Sequence, residues 1–297
     1  MSDRFGVHVT STTLRVATFS ARKRTSEHEA PHAATSPSEL AEAIVAAVEQ
    51  LAARTDRSIA GVGIALPAVV TPADGQIVAC EAMPWLVGSS LQATVADRLG
   101  VPTVSDAEIH CAALAEHLAL SDDEDRAVPA LCLGLTLYGA AVMIVDGQVD
   151  RQDDGYGMDF PHLVLSQEGP LCPCGDRGCA QMYVLAPGIR RLAAEQGLDL
   201  DTDEPVSEVC QRAESGDAGA ESVLEEVGAV LGLLVRALRG RLGLGEADRL
   251  MILYPDSHRG TFALHMPIAT HAMAYLAQRS SHYDEDACIA GAALLEP

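Results

Sequence analysis

Cys172-Pro173-Cys174-Gly175-Asp176-Arg177-Gly178-Cys179 sets three thiols into one short run, and His162 stands ten residues upstream of the first. Three thiolates and an imidazole are a complete tetrahedral donor set for a closed, structural Zn²⁺ site. Gly175 and Gly178 allow the tight turn that folds the third sulfur back onto the first two. The alternatives are three ordinary buried thiols or a disulfide, and adjacent pairs in so short a run are hard to close. The other five cysteines (Cys80, Cys111, Cys132, Cys210, Cys288) are scattered singly in apolar segments.

Around this knuckle lies a chain of 297 residues, 48% hydrophobic, long enough for two domains or one large one. No apolar run reaches the roughly 18 residues of a membrane span. The start, Met1-Ser2-Asp3-Arg4, lacks the basic-then-apolar layout of a secretory signal, and free cysteines fit a reducing compartment, so the expected location is cytoplasmic. A net charge of −22 repels nucleic acid and anionic membranes, so neither is an expected partner.

Hydrophobic periodicity then sets out the elements. Residues 5–10 and 14–20 read as two strands, the second alternating apolar and polar. Residues 21–35, basic and then polar, read as a loop. Ser36-Pro37-Ser38-Glu39 opens a helix as a capping box, with Leu40, Ile44, Val48 and Leu51 along one face. A buried strand over 59–66, a helix over 90–99, a strand over 101–104 and an Ala-rich helix over 107–119 come next. Beyond an acidic linker at 121–125 lie strands over 130–137 and 140–145, with Asp146-Gly147 as a hairpin turn. Helices are expected near 185–196, 218–239, 267–279 and 286–295, with a strand over 249–254. Strand pairs succeeded by helices, twice over, predict two α/β domains in tandem.

On these residues the chain resembles the ROK family of sugar kinases and sugar-responsive repressors. Pro161-His162 with Cys172–Cys179 carries the likeness most specifically. It extends through Val62-Gly63-Ile64-Ala65-Leu66-Pro67 with Asp74-Gly75, through Ala112-Ala113-Leu114-Ala115-Glu116, and through Asp286-Ala287 with Gly291-Ala292-Ala293. The resemblance implies an α/β protein of the actin-like ATPase (ribonuclease H-like) fold, with two α/β domains around a cleft. The implied division is 1–116 plus 285–297, and 117–284 with the zinc knuckle. His162, Cys172, Cys174 and Cys179 are the implied metal ligands.

Departures from the family pattern cluster at the nucleotide contacts. The opening Asp-x-Gly-Gly-Thr of family kinases reads His8-Val9-Thr10-Ser11-Thr12 here. The second phosphate loop reads Gly134-Leu135-Thr136-Leu137-Tyr138-Gly139, and Tyr254-Pro255 replaces the adenosine-side Gly-Gly. Side chains therefore stand where backbone must approach phosphate, and ATP and Mg²⁺ are not expected cofactors. On the sugar side, the general base of the family falls at Glu108, one methylene longer than its Asp. A carboxylate opening a helix is also favoured by the helix dipole alone. Asp159 takes the place of a sugar-binding Glu, and Gln181 of the Glu after the cysteine cluster, while Ala107 and Ala82 replace two Asn.

The expected site is thus Glu108 for any catalysis, with Glu108, Asp159, His162 and Gln181 around a small ligand, and structural Zn²⁺ as the cofactor. Three functions fit: a pseudokinase that senses a sugar-like ligand or scaffolds a protein partner, a diverged but active ATP-dependent sugar kinase, or a structural oligomerisation partner of another ROK protein. The expected assembly is a homodimer.

Overall fold

Alternation along the first strands decides how the first sheet is covered. In β1 (Ser2–Val9), Phe5, Val7 and Val9 are fully buried. They pack with Leu40, Ile44, Val48 and Leu51 of helix α1 (Pro37–Thr55). β2 (Thr13–Ser20) adds Leu14 and Val16 to that core, and β4 (Ser58–Leu66) adds Val62, Ile64 and Leu66. The Ser36 hydroxyl accepts from Glu39 N–H at 3.3 Å and caps α1, while the Glu39 carboxylate reaches back to Thr35 N–H at 2.8 Å. The computed structural model describes residues 2–20, 23–120, 128–135, 139–151, 160–202, 205–244, 249–253 and 287–295.

The strand order of this sheet is β3-β2-β1-β4-β7, with β3 at Lys23–Pro31 and β7 at Thr103–Ala107. β1 pairs antiparallel with β2 and parallel with β4, and β4 pairs parallel with β7. β3 corrects the expected loop over 21–35. It pairs antiparallel with β2 from Thr13↔Pro31 to Ser20↔Lys23, held by Arg15–Glu27 at 2.7 Å and by Thr18–Thr25 at 2.9 Å. As an edge strand it carries charges, and that composition reads as loop in a sequence. β5 (Val69–Val70) and β6 (Ile77–Ala79) form a small ribbon, and α2 (Leu91–Leu99) leads into β7. β7 runs three residues past the expected strand, because Asp106 is buried with partners rather than solvated.

The opposite face of the sheet is closed by α3 (Glu108–Leu120) and by the C-terminal helix α8 (Ala287–Leu294). Glycines set the distance. A Cβ on Gly6 of β1 would lie 2.1 Å from Ile289 O, one on Gly63 of β4 1.6 Å from Ala292 O, and one on Gly291 of α8 1.8 Å from Cys111 O. Backbone therefore meets backbone at three points, and no side chain fits between them. Arg4 donates to the Leu295 carbonyl and ties down the end of α8.

A second sheet has the order β10-β9-β8-β11: β8 (Ala130–Gly134), β9 (Ala140–Val145), β10 (Gln148–Asp150) and β11 (Arg249–Leu253), with β8 and β11 parallel. Its core joins Leu131, Leu133 and Leu250 to α5 (Ala186–Glu195), α6 (Pro205–Glu214) and α7 (Ala218–Leu242). The stripe Val223, Val227, Leu231, Leu234 and Leu238 buries one side of α7, and the Asp217 side chain caps it, accepting from Gly219 N–H at 2.9 Å. Contacts divide the chain into two compact units, residues 1–127, 144–157 and 281–297 in one and 128–143 and 158–280 in the other. Among the described residues no helix is long and apolar enough to cross a membrane. The expected helix over 267–279, Asp159, Tyr138 and Tyr254 lie outside the described residues.

Candidate functional site

The cysteine knuckle sits on the core of the second unit. Phe160 before it and Ala180 after it are fully buried, and short backbone bonds lace its loop. Cys172 N–H donates to Asp176 O at 2.8 Å, Gly175 N–H to Cys172 O at 3.0 Å, and Gly178 N–H to Pro170 O at 2.8 Å. Gly175 and Gly178 have φ of +104° and +70°, a region costly for residues with a side chain. At Gly178 space forbids one as well, since its Cβ would stand 1.7 Å from Ser166 O.

This loop brings one donor atom from each of His162, Cys172, Cys174 and Cys179 within 4.8 Å of all the others. The gap from Cys174 Sγ to Cys179 Sγ is 3.7 Å and from Cys172 Sγ to His162 Nδ1 3.8 Å. A tetrahedral ion with Zn–S bonds of about 2.3 Å needs sulfurs about 3.8 Å apart, so these gaps fit a metal and are far too long for a disulfide. Electrostatics agree. Burial opposes a charged Cys172, but Cys174 N–H and the Gln181 amide donate to its sulfur and bring its pKa to about 6. Burial pushes Cys179 up to about 12, and the neighbouring Cys174 and Cys172 thiols push the same way. The Cys172 thiolate is thus held beside a Cys179 thiol that resists ionising, and a cation among the sulfurs would favour the charged form of both.

Gln181 opens the short helix α4 (Gln181–Val184), and its Nε2 lies 2.8 Å from Cys172 Sγ. It therefore bonds directly to one of the four candidate metal donors, a contact that the sequence pattern did not reveal. His162 is exposed, and with Nδ1 towards the sulfurs its Nε2 is left for another partner.

In the first unit, the turn between β1 and β2 closes on itself. Thr10 N–H donates to Thr13 O at 2.9 Å, while Thr12 N–H and Thr13 N–H donate to the Thr10 hydroxyl oxygen at 3.3 and 3.0 Å. His8, at the end of β1, holds Nε2 3.2 Å from Glu108 Oε2, at the start of α3. Below them Asp106 is 2% exposed. One of its oxygens lies 2.7 Å from His110 Nδ1, and the other accepts from Arg151 Nε at 2.6 Å. Burial works against the Asp106 charge, yet His110 and Arg151 outweigh it and hold the carboxyl below its ordinary value. His110 is thus a buried, hydrogen-bonded histidine, as an apolar helix face suggests. The Asp106–Arg151 pair joins residues 45 positions apart and left no local signal in the sequence.

Known proteins share both the sequence pattern and the architecture. The family model described as "ROK family" matches residues 4–239. The glucokinase of Streptomyces coelicolor is 28% identical over 171 residues, 58% of this chain and 52% of that protein, so the chain spans about half the length of that relative. N-acetylmannosamine kinase of Citrobacter koseri is 27% identical over 276 residues, covering 89% of this chain and 87% of the kinase. The xylose repressor of Caldicellulosiruptor bescii is 24% identical over 217 residues, 69% of this chain and 50% of the repressor. Among solved structures, the ROK hexokinase of Thermus thermophilus superposes with a TM-score of 0.79 at 20% identity, over 98% of this chain and 97% of that one. The architecture is therefore that of the ROK sugar kinases, the actin-like ATPase fold.

Proposed function

The chain belongs to the ROK family, and from that premise we propose that it binds a small sugar-like ligand without transferring phosphate, as a sensor or regulatory scaffold. The observation that carries this reading is the β1–β2 turn. A phosphate loop works by presenting free backbone N–H groups to anionic oxygens. Here the N–H groups of Thr10, Thr12 and Thr13 are engaged within the turn. The neighbouring position that would hold Mg²⁺ carries the imidazole of His8, and hard Mg²⁺ is bound through oxygen. That same imidazole is within hydrogen-bond reach of Glu108, the carboxylate at the place of the family's general base.

Ligand contact in this reading falls to Glu108, Asp159, His162 and Gln181. Zn²⁺ on His162, Cys172, Cys174 and Cys179 would fix the loop and leave His162 Nε2 for a hydroxyl. The kinases and the repressor among the relatives both act on or respond to sugars by name, which supports a sugar-like ligand.

Isothermal titration with Mg·ATP tests the reading, with no binding expected up to millimolar nucleotide. Saturable micromolar binding would overturn it in favour of an active kinase. A sugar panel read by thermal shift then separates a sensor from a purely structural partner. Ligand at ~100 times its Kd adds about 2.7 kcal/mol of stability, and a panel without any shift favours the structural role.

A further inference from the structure

Two groups of His, Cys, Asp or Glu among the described residues bring their ligand atoms together, and the knuckle is one of them. The other is His8, Glu108 and Cys288, whose donor atoms all lie within 4.8 Å of one another. We propose that these three residues form a second metal site, for a borderline divalent transition metal such as Zn²⁺, with a fourth position open to water.

Three elements converge to build it. His8 ends β1, Glu108 opens α3, and Cys288 lies in the first turn of α8. Their spacing is fixed by the glycine contacts, since Gly6 seats α8 on β1 and Gly291 seats it on α3. The cluster is therefore held by rigid backbone and not by a loop. Both anionic donors stand at helix N-termini, where the dipole favours carboxylate and thiolate.

The chemistry of the set selects the metal. One nitrogen, one carboxylate oxygen and one sulfur match Zn²⁺ and its neighbours, whereas a thiolate is a poor ligand for Mg²⁺ or Ca²⁺. Ligand atoms around Zn²⁺ stand about 3.3–3.8 Å apart, given bonds of 2.0–2.3 Å. The His8–Glu108 gap of 3.2 Å is already at that spacing. The other gaps are no more than 4.8 Å, so closing them takes at most about 1.5 Å of movement. The Glu108 side chain, 37% exposed, has room to supply it. Three protein ligands with the fourth position left to water make an open site, unlike the closed four-ligand knuckle.

This inference shares Glu108 with the sugar-ligand reading, but it concerns the first unit alone and its test needs no sugar, so the failure of one reading is distinguishable from the failure of the other. The test counts metal. The full-length protein is equilibrated with a small excess of Zn²⁺, desalted, and assayed for bound zinc. Two equivalents are expected in the wild type, and one in each of His8→Ala, Glu108→Gln and Cys288→Ser. Cys174→Ser retains one, and Cys174→Ser with Cys288→Ser retains none. Co²⁺ substitution gives a second readout on the wild type, where Cys288→Ser should remove one sulfur-to-cobalt charge-transfer component and leave that of the knuckle. Circular dichroism identifies any variant that fails to fold, and Glu108→Gln keeps the side-chain shape should the others fail. One equivalent in the wild type overturns the proposal. So do two equivalents undiminished by Glu108→Gln and Cys288→Ser.

Discussion

Gly63→Ala is the sharpest test of how the first unit is closed. The added methyl would sit 1.6 Å from Ala292 O and 2.5 Å from Ala292 C, both backbone atoms of α8. A carbon needs about 3.3–3.6 Å from a carbonyl oxygen. The helix must therefore retreat by roughly 1.7–2 Å, since no rotamer change relieves a clash with backbone. α8 buries Ile289, Ala290 and Ala292. A gap of even 0.5–1 Å forfeits about a quarter to a half of each dispersion contact. Overpacking of this kind costs about 1–3 kcal/mol, occasionally more, and the backbone clash puts this case at the upper end, about 3 kcal/mol. At roughly 2–4 °C per kcal/mol the unfolding midpoint should fall by about 6–12 °C. Gly240→Ala is the matched control: exposed near the end of α7 with nothing within 4 Å of its added Cβ, it should stabilise. The gain is about 1 kcal/mol from helix propensity alone. Thermal and urea unfolding followed by circular dichroism read both. A Gly63→Ala midpoint within about 2 °C of wild type would refute the close approach of β4 to α8.

The remaining predictions concern the two polar clusters. Gln181→Ala should weaken zinc binding at the knuckle by about 10–100-fold, as loss of a partner to a metal ligand does elsewhere; competition with a chromophoric chelator measures it, and an unchanged constant would deny the Gln181–Cys172 bond any role. Asp106, held below its ordinary value of 3.8, contributes stability that is present above that pH and lost as pH falls through the lower folded value. Wild type should therefore exceed Asp106→Asn in urea stability at neutral pH, with the gap shrinking towards pH ~3, and a constant gap would contradict the pairing with His110 and Arg151.

Much of the architecture is legible in the order of the residues alone. The metal donor set is local, four residues within one loop, so spacing discloses it. The strands of the first sheet and the stripe of α7 are legible because one-sided burial writes a period into sequence. β3 is not, since an edge strand solvates much of its length and its charges hide the alternation. The cluster of His8, Glu108 and Cys288 escapes for a different reason. Its members are separated by 100 residues or more, and each alone reads as an ordinary cap or core residue. Only the seating of α8 on β1 and α3 brings them together, and that seating rests on glycines, whose meaning in a sequence depends on what they face.

The seating of α8 also has a consequence for synthesis. β1 and β4 leave the ribosome early, but the helix that covers their second face lies at residues 287–294. At about 5–20 residues per second, roughly 10–45 s separate the end of β4 from the arrival of α8. Through that interval Gly6 and Gly63 mark a strip of sheet with no side chain to shield it and no helix upon it. The partner missing from that strip is supplied by residues 287–294, so removing them would leave Gly6 and Gly63 without cover and α3 alone on that face.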